Sequence, residues 1–231
     1  MMGRPVCDPG TAFWILFVVL LFSFFMAHIS LHTLRYIFCS ESTLSNVRMD
    51  MKQTLTPIEP PYASNIEAIL KNYPKQQGYL LKLFRVFANS ERFLLKGMPK
   101  LLDKDSPISL REREIVILRV CANNACEYKW GVHVTIFSQY ANLSSEQVIN
   151  TTQAEIDRAA WSDKDVILLQ VIDQLTASGV LMPETHDQFQ QHWSAQQQLE
   201  MFALCGSYQT VSYVANHAEV SLEDFASRFP A

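Results

Sequence analysis

Helix-start signals recur along this chain from about residue 56 onward, whereas signals for β-strands are missing. Ser109, Ser144 and Ser162 each stand three residues before Glu, Gln or Asp and open an apolar run. Ser194 has the position of a further helix cap, and Pro183 suits a first helical turn. No sustained alternation of apolar and polar residues occurs there, and no Asn-Gly or Asp-Gly hairpin turn is present.

This pattern predicts an all-α fold in which short connections make neighbouring helices antiparallel, as in a helical bundle. We expect helices at residues 63–72, 79–87, 90–102, 110–122, 127–140, 145–152, 163–177, 184–192 and 195–217.

The apolar excess of the chain lies close to its start. Residues 9–34 contain no Asp, Glu, Lys or Arg. The run therefore predicts one uncleaved transmembrane helix through residues 11–29, and with it a single-pass membrane protein. A cleaved secretory signal is the second interpretation, because Arg4 precedes the run, although Phe25 and Ala27 make a poor cleavage site.

A third interpretation treats the first 48 residues as an appendage. Met49 and Met51 are alternative start points, and the proline-rich stretch at 56–64 resembles the beginning of a domain. A chain that starts there would be cytoplasmic. We predict two parts, an anchor and linker over residues 1–48 and a helical domain over residues 49–231.

Composition excludes several classes of function. Nineteen Lys and Arg against 23 Asp and Glu give a net charge of −4, so no nucleic-acid partner is expected. None of the seven glycines forms a phosphate-binding loop, and five cysteines in 231 residues do not indicate a disulfide scaffold. Cys121, Cys126 and His133 lack the paired spacing of a zinc site. We therefore predict no cofactor and no metal.

Glu114 lies on the apolar face of the helix expected at 110–122. By helical rotation, four residues fall within about 60° of it: Leu110, Ile117, Leu118 and Cys121. A carboxylate in such a place is costly unless it has a partner. It is a candidate general base, or a buried strut bound to an Arg or a helix N-terminus. Glu112 and Arg119 point the opposite way and are expected to be solvated.

A second helix is expected to begin near Cys126, where unpaired amides stabilise a thiolate. Lys129, Trp130 and His133 share its face with Cys126, and Lys129 and His133, at i and i+4, can meet directly. The alternatives are that Cys126 is a small buried apolar residue and that His133 is a satisfied core histidine.

Four further residues are predicted to bind substrate, namely Tyr128, Trp130, Tyr208 and Asn216. Tyr208 and Asn216 are polar members of an otherwise apolar final helix. Their alternative role is an interhelical hydrogen bond, because buried polar groups need partners in any case.

The spacing of Glu114, Cys126 and His133, within REREIVILRV and CEYKWGVHV, resembles the carboxymuconolactone decarboxylase family, which includes alkylhydroperoxidase-like proteins. Coverage extends over about residues 57–229, through the segments PIEPPY, LKLFRVFANS, LLQVIDQL and GSYQTVSYVANHAEV. The resemblance implies an alkylhydroperoxidase-like helical bundle that assembles as a homo-oligomer.

The resemblance also implies a redox mechanism. Family members with peroxidase chemistry carry Cys-x-x-Cys-x-x-x-His, in which the cysteine nearer the histidine attacks the peroxide and the other resolves it. Here Cys126 holds the first position, Lys129 replaces the second cysteine, and Tyr128 replaces an additional histidine. A resolving thiol would come from elsewhere, either Cys121, about 140° away on a continuous helix, or Cys205.

Three hypotheses about function follow. The first is a thiol-dependent peroxide reductase acting on an organic peroxide, with Cys126 as thiolate and Glu114, Lys129 and His133 as its proton relay. The second is a cofactor-free decarboxylase or lyase acting on a small carboxylated lactone, with Lys129 or Arg119 holding the anionic substrate. The third is a helical oligomerisation module whose family site has decayed.

Overall fold

The computed structural model describes residues 55–98 and 101–230, and the regular structure within these ranges is helical. The described elements are α1 (Ser64–Leu70), α2 (Lys82–Phe87), α3 (Glu91–Lys96), α4 (Leu110–Asn123), α5 (Glu127–Phe137), α6 (Ser145–Asn150), α7 (Asp163–Ser178), α8 (Pro183–His192) and α9 (Ala195–His217). The described part contains no strand, only an isolated bridge between Gln76 and Tyr79. The all-α prediction is therefore confirmed for these residues.

The predicted helix starts are largely confirmed. Ser109, Ser144 and Ser194 form reciprocal capping boxes at the starts of α4, α6 and α9. Ser162 caps α7 by accepting a hydrogen bond from the amide of Asp165. Pro183 lies in the first turn of α8, where its missing N–H leaves no helical bond unmade.

Three predicted boundaries were wrong by three or more residues, and one of them is the end of the helix expected at 127–140, which lies at Phe137. The helix expected at 79–87 begins at Lys82, because the left-handed residues Gln77 and Gly78 form a turn that Gln76 and Tyr79 close. The helix expected at 90–102 ends at Lys96, shortly before Pro99 in the sequence. A residue that precedes proline disfavours the helical conformation.

α4 is the central helix of the described part and packs against α5, α7 and α9. Its residues Ile115 to Leu118, with Val120 and Cys121, have no exposed surface. Because consecutive residues point in different directions around a helix, this burial shows that α4 is enclosed on nearly every side.

This enclosure overturns the expectation that Glu112 and Arg119 are solvated. Glu112 is 8% exposed and accepts hydrogen bonds from Lys164 Nζ at 2.8 Å and Trp193 Nε1 at 2.7 Å. Arg119 is 3% exposed and makes a bidentate ion pair with Asp173 at 2.6 and 2.8 Å. The face judged polar from the sequence is buried against α7, so its charges need partners.

The C-terminal segment, residues 219–230, runs back over α5. The amide of Ser227 donates to the carbonyl of Gly131 at 3.2 Å, and the amide of Phe229 donates to Glu127 at 2.9 Å. The Phe229 ring packs edge-on against Trp130 with ring centres 5.1 Å apart. These contacts hold the segment against the helix that begins at Cys126.

The helices in the described part of the chain include none that combines the length and the apolar character needed to cross a membrane. The predicted anchor at residues 11–29 and the predicted domain of residues 1–48 lie outside the described residues. Both stay predictions.

Candidate functional site

The connection between α4 and α5 is a tight turn that reverses the chain. Ala125 has a φ of 51°, and its amide donates to the carbonyl of Ala122 at 2.9 Å. The amide of Cys126 donates to the carbonyl of Cys121 at 2.8 Å. This pair of hydrogen bonds defines a Schellman motif, which brings together the third residue from the end of α4 and the second residue after the C-cap Asn124. Those two residues are Cys121 and Cys126.

Cys126 caps the start of α5, and its side chain has no exposed surface. It makes no conventional cap hydrogen bond, yet its pKa is lowered to about 7. The largest cause is the hydrogen bond that the Cys121 thiol donates to it. The amide and the charge of Lys129 and the hydroxyl of Ser212 act in the same direction, whereas burial acts against them. Cys126 is therefore the thiol of the pair that ionises first.

Lys129 is buried beside the two thiols and is only 7% exposed to solvent. Its Nζ lies 5.9 Å from the centre of the Phe84 ring. Burial lowers its pKa, while the negative charges of ionised Cys121, of Glu114 and of ionised Cys126 act to raise it. A thiolate at Cys126 and an ammonium at Lys129 therefore stabilise one another in a water-poor setting.

Glu114, His133 and Tyr208 form a hydrogen-bonded chain in the core. His133 Nδ1 lies 2.7 Å from Glu114 Oε2, and His133 Nε2 lies 2.9 Å from the Tyr208 hydroxyl. Burial lowers the pKa of His133 against the opposing effect of Glu114, and burial raises the pKa of Tyr208 well above its usual value. We assign a neutral imidazole that donates from Nδ1 to the carboxylate and accepts the tyrosine O–H at Nε2.

Most of the predicted catalytic residues therefore share one buried region. Cys126 lies against Lys129, and Glu114 is joined directly to His133. Cys126 and His133 make no hydrogen bond to each other, because both ring nitrogens of His133 already have partners. Lys129 links the thiol pair with the Glu114–His133 pair, because both Glu114 and Cys126 act on its pKa.

Two residues of this region were missed in the sequence. Arg113 Nε lies 3.6 Å from Glu114 Oε1, and among the described residues it has no hydrogen-bond partner. Ser212 contacts both thiols from α9. Its spacing of four residues from Tyr208 places the two on one helix face, and this signal could have identified it.

The other predicted substrate-binding residues have structural contacts. Tyr128 donates its hydroxyl proton to Glu223 at 2.7 Å, and Trp130 donates to the Thr151 hydroxyl at 2.9 Å. Asn216 donates to the carbonyl of Asn124 at 2.8 Å, so both it and Tyr208 make the interhelical hydrogen bonds foreseen as their alternative role. Their binding of substrate stays a prediction.

Two surface cavities in the described part of the chain differ in their relation to the thiols. A cavity of about 450 Å³ is lined by Tyr128, Asn216 and both chain neighbours of Cys126, Ala125 and Glu127. A cavity of about 590 Å³ lies against α7, α8 and α9 and is lined in part by Cys205, Phe202 and His186. The larger cavity is lined by none of the predicted site residues, whereas Tyr128 and Asn216, two predicted substrate-binding residues, line the smaller one. We therefore take the smaller cavity as the functional cavity.

Within residues 55–98 and 101–230, no three His, Cys, Asp or Glu side chains are grouped so that they could hold a metal ion. Comparison of the chain with models of known protein families, with curated proteins and with solved structures found no match.

Proposed function

We propose that this protein reduces peroxides with the thiolate of Cys126. The observation that carries the proposal is the placement of Cys126 at a helix start, in contact with the Cys121 thiol and the Lys129 amide and next to the buried Lys129 cation. The resemblance to the carboxymuconolactone decarboxylase family supports thiol chemistry at this turn, with Cys126 at the position of the family's resolving cysteine and Lys129 at that of the attacking one. The resemblance implies that Glu114 and His133 relay a proton together, and His133 Nδ1 lies 2.7 Å from Glu114 Oε2.

The reaction begins when the Cys126 thiolate attacks the terminal oxygen of the peroxide. An S–O bond forms, the O–O bond breaks, and the leaving alkoxide takes a proton to become an alcohol. Lys129 is the acid adjacent to the thiol, and we assign that proton to it. Glu114, whose charge acts on Lys129, and His133 support its reprotonation. The sulfur ends as a sulfenic acid.

Access sets the substrate class. Because the Cys126 side chain has no exposed surface, a peroxide reaches the sulfur only after a local opening of the surrounding segments. The cavity of about 450 Å³ lined by Ala125 and Glu127 is the route we assign. A cavity of this size admits hydrogen peroxide and small organic peroxides, whereas a protein disulfide does not fit into it.

A single-turnover experiment tests the proposal. The purified 231-residue chain is mixed with a small organic peroxide, and free thiols are counted after acid quenching. We expect the rapid loss of reactive thiol to disappear in Cys126→Ser and to persist in Cys205→Ser, since Cys205 lines the other cavity. A Cys126 that stays reduced under excess peroxide would reject the proposal.

A cofactor-free decarboxylase is the second candidate, and the chain of Glu114, His133 and Tyr208 favours it. This proton path needs neither thiol. Arg119 is committed to Asp173, which leaves Lys129 as the cation for a small carboxylated lactone. Under this hypothesis Cys126→Ala keeps lactone turnover and His133→Gln abolishes it. The opposite pattern would exclude the candidate.

We further propose that the protein is a homo-oligomer. Leu199, Phe202 and Tyr213 lie within about 60° of one another around α9 and are exposed. Light scattering coupled to size-exclusion chromatography would test this. A measured mass near 26.4 kDa, the mass of one 231-residue chain, would contradict the proposal.

A further inference from the structure

Cys121 and Cys126 form a pair of thiols inside the described part of the chain. Both are free and both have no exposed surface. The Cys121 thiol donates a hydrogen bond to the Cys126 sulfur, and the Ser212 hydroxyl contacts both sulfurs. The two side chains therefore face one another in the core.

The backbone explains why the thiols meet. The hydrogen bond from the Cys126 amide to the Cys121 carbonyl, at 2.8 Å, closes the Schellman motif at the end of α4. Side chains at these two positions of the motif commonly contact one another. Ala125 adopts the left-handed conformation that the motif requires. A cross-link between Cys121 and Cys126 would thus span a turn that the backbone has already closed.

We propose that Cys121 is the resolving thiol of this site and that the oxidised protein carries a Cys121–Cys126 disulfide. This inference rests on the proposed peroxide reduction at Cys126. After the sulfenic acid has formed, the sulfur of Cys121 attacks the sulfur of Cys126. The S–S bond forms, the S–O bond breaks, and the hydroxide leaves with the Cys121 proton as water.

The electrostatics of the pair change in the direction that this step needs. In the reduced protein burial raises the pKa of Cys121, and its hydrogen bond to Cys126 and the Cys126 charge raise it further. A sulfenic acid at Cys126 is neutral, so the repulsion from that charge is lost. Lys129, which lowers the pKa of Cys121, then acts on Cys121 alone. Oxidation of Cys126 therefore promotes ionisation of the resolving thiol.

The cycle closes when a dithiol reduces the disulfide and is itself oxidised to a disulfide. Cys205 is a poor alternative for resolution. Cys205 lies seven residues, about two helical turns, before Ser212 on α9 and lines a different cavity, and burial raises its pKa to about 12.

Peptide mapping of the full chain tests the inference without any variant. The tryptic peptide 120–129 contains Cys121 and Cys126 and no other cysteine. The protein is treated with one equivalent of a small organic peroxide, quenched in acid, alkylated and digested. We expect this peptide to be unalkylated and lighter by two hydrogen atoms, and dithiothreitol to restore two alkylation sites.

Variants then separate this inference from the proposed function. In Cys121→Ser and Cys121→Ala we expect a Cys126 sulfenic acid that dimedone traps, whereas Cys205→Ser should give the disulfide as the wild type does. Oxidation of Cys126 without a Cys121–Cys126 disulfide would overturn the inference and leave peroxide reduction standing. A Cys126 that does not react with peroxide would overturn both.

Discussion

At the level of single residues, the reactivity of the site depends on what decides the charge of Cys126. The Cys121 thiol, the Lys129 amide, the Ser212 hydroxyl and the Lys129 ammonium all stabilise the thiolate, and only burial opposes them. A thiol in apolar surroundings would instead have a raised pKa, as Cys205 does. The difference between these two buried cysteines is thus a difference in neighbours.

The pH dependence of oxidation follows from this. The thiolate is the reactive form, so the rate of peroxide reaction at Cys126 should rise about tenfold per pH unit below about 7 and level off above it. Lys129→Met removes the neighbouring cation, which lowers the pKa of Cys126, and should move this midpoint upward. Lys71→Met, at an exposed position, is the control and should leave the midpoint unchanged. Stopped-flow rates measured across the pH range check this, and an unshifted midpoint in Lys129→Met would contradict it.

The hydroxyl of Tyr208 is the hydrogen-bond partner of His133 Nε2. Tyr208→Phe leaves the Nε2 of buried His133 without a partner, so the free energy of unfolding should fall by about 1–2 kcal/mol. Tyr213→Phe, on the same helix at an exposed position, should change it by less than about 0.5 kcal/mol. Urea denaturation measures both. If Tyr208→Phe were as stable as Tyr213→Phe, the hydrogen bond from Tyr208 to His133 would contribute nothing to stability.

At the scale of elements, the start of α5 is fixed from two sides, by the Schellman turn before it and by the C-terminal segment over it. The close approach of that segment depends on Gly131, because a Cβ there would lie 2.0 Å from the carbonyl oxygen of Ser227. No rearrangement of a flexible side chain relieves such a contact, since the opposing atom belongs to the backbone.

Gly131→Ala should therefore displace the C-terminal segment and lower the free energy of unfolding by about 1–3 kcal/mol. Hydrogen exchange at the amides of Ser227 and Phe229, which bond to α5, should accelerate. Gly206→Ala has no atom within 4 Å of the added Cβ, and in the interior of α9 it should stabilise by about 0.5–1 kcal/mol. If both substitutions stabilised the protein, the close packing at Gly131 would be refuted.

The sequence predicted the helix starts but not the turn between α4 and α5. Helix starts are local, so the capping residues Ser109, Ser144 and Ser194 could be identified from spacing alone. The contact between Cys121 and Cys126 could not. Rotation about a continuous helix puts them about 140° apart, whereas the left-handed conformation of Ala125 turns the chain back.

At the scale of the whole molecule, the central position of α4 decides which charges are buried. Periodicity predicted a buried Glu114 correctly, but it assumed a solvent face for Glu112 and Arg119. That assumption fails because α7 covers this face. The residue pattern of α4 alone does not show that other helices pack against it on several sides. A polar stripe on a helix thus predicts solvent exposure only where one face of the helix meets water.

Glu112 connects α4 with Lys164 of α7 and with Trp193 between α8 and α9. Burial acts to raise its pKa, but hydrogen bonds from Lys164, Ser109 and Trp193 prevail and lower it to about 2. Because the folded-state pKa is lowered, this stabilisation is present above the unfolded value of 4.5 and is lost as pH falls through about 2.

Glu112→Gln should lower the free energy of unfolding at neutral pH by about 2 kcal/mol. It should also remove part of the loss of stability that the wild type shows on acidification. Glu155→Gln, at an exposed position, should reproduce the wild-type curve. Chemical denaturation at a series of pH values provides the measurement, and identical curves for all three proteins would contradict the assigned role of Glu112.

If Cys126 is a working peroxide-reducing thiol, as we propose, the protein should turn over peroxide in the steady state. The 231-residue chain is given an organic peroxide and an excess of dithiothreitol, and peroxide consumption above the uncatalysed background is followed. We predict several turnovers per chain, abolished in Cys126→Ser and retained in Cys205→Ser. Consumption at the background rate, or turnover that persists in Cys126→Ser, would contradict the account.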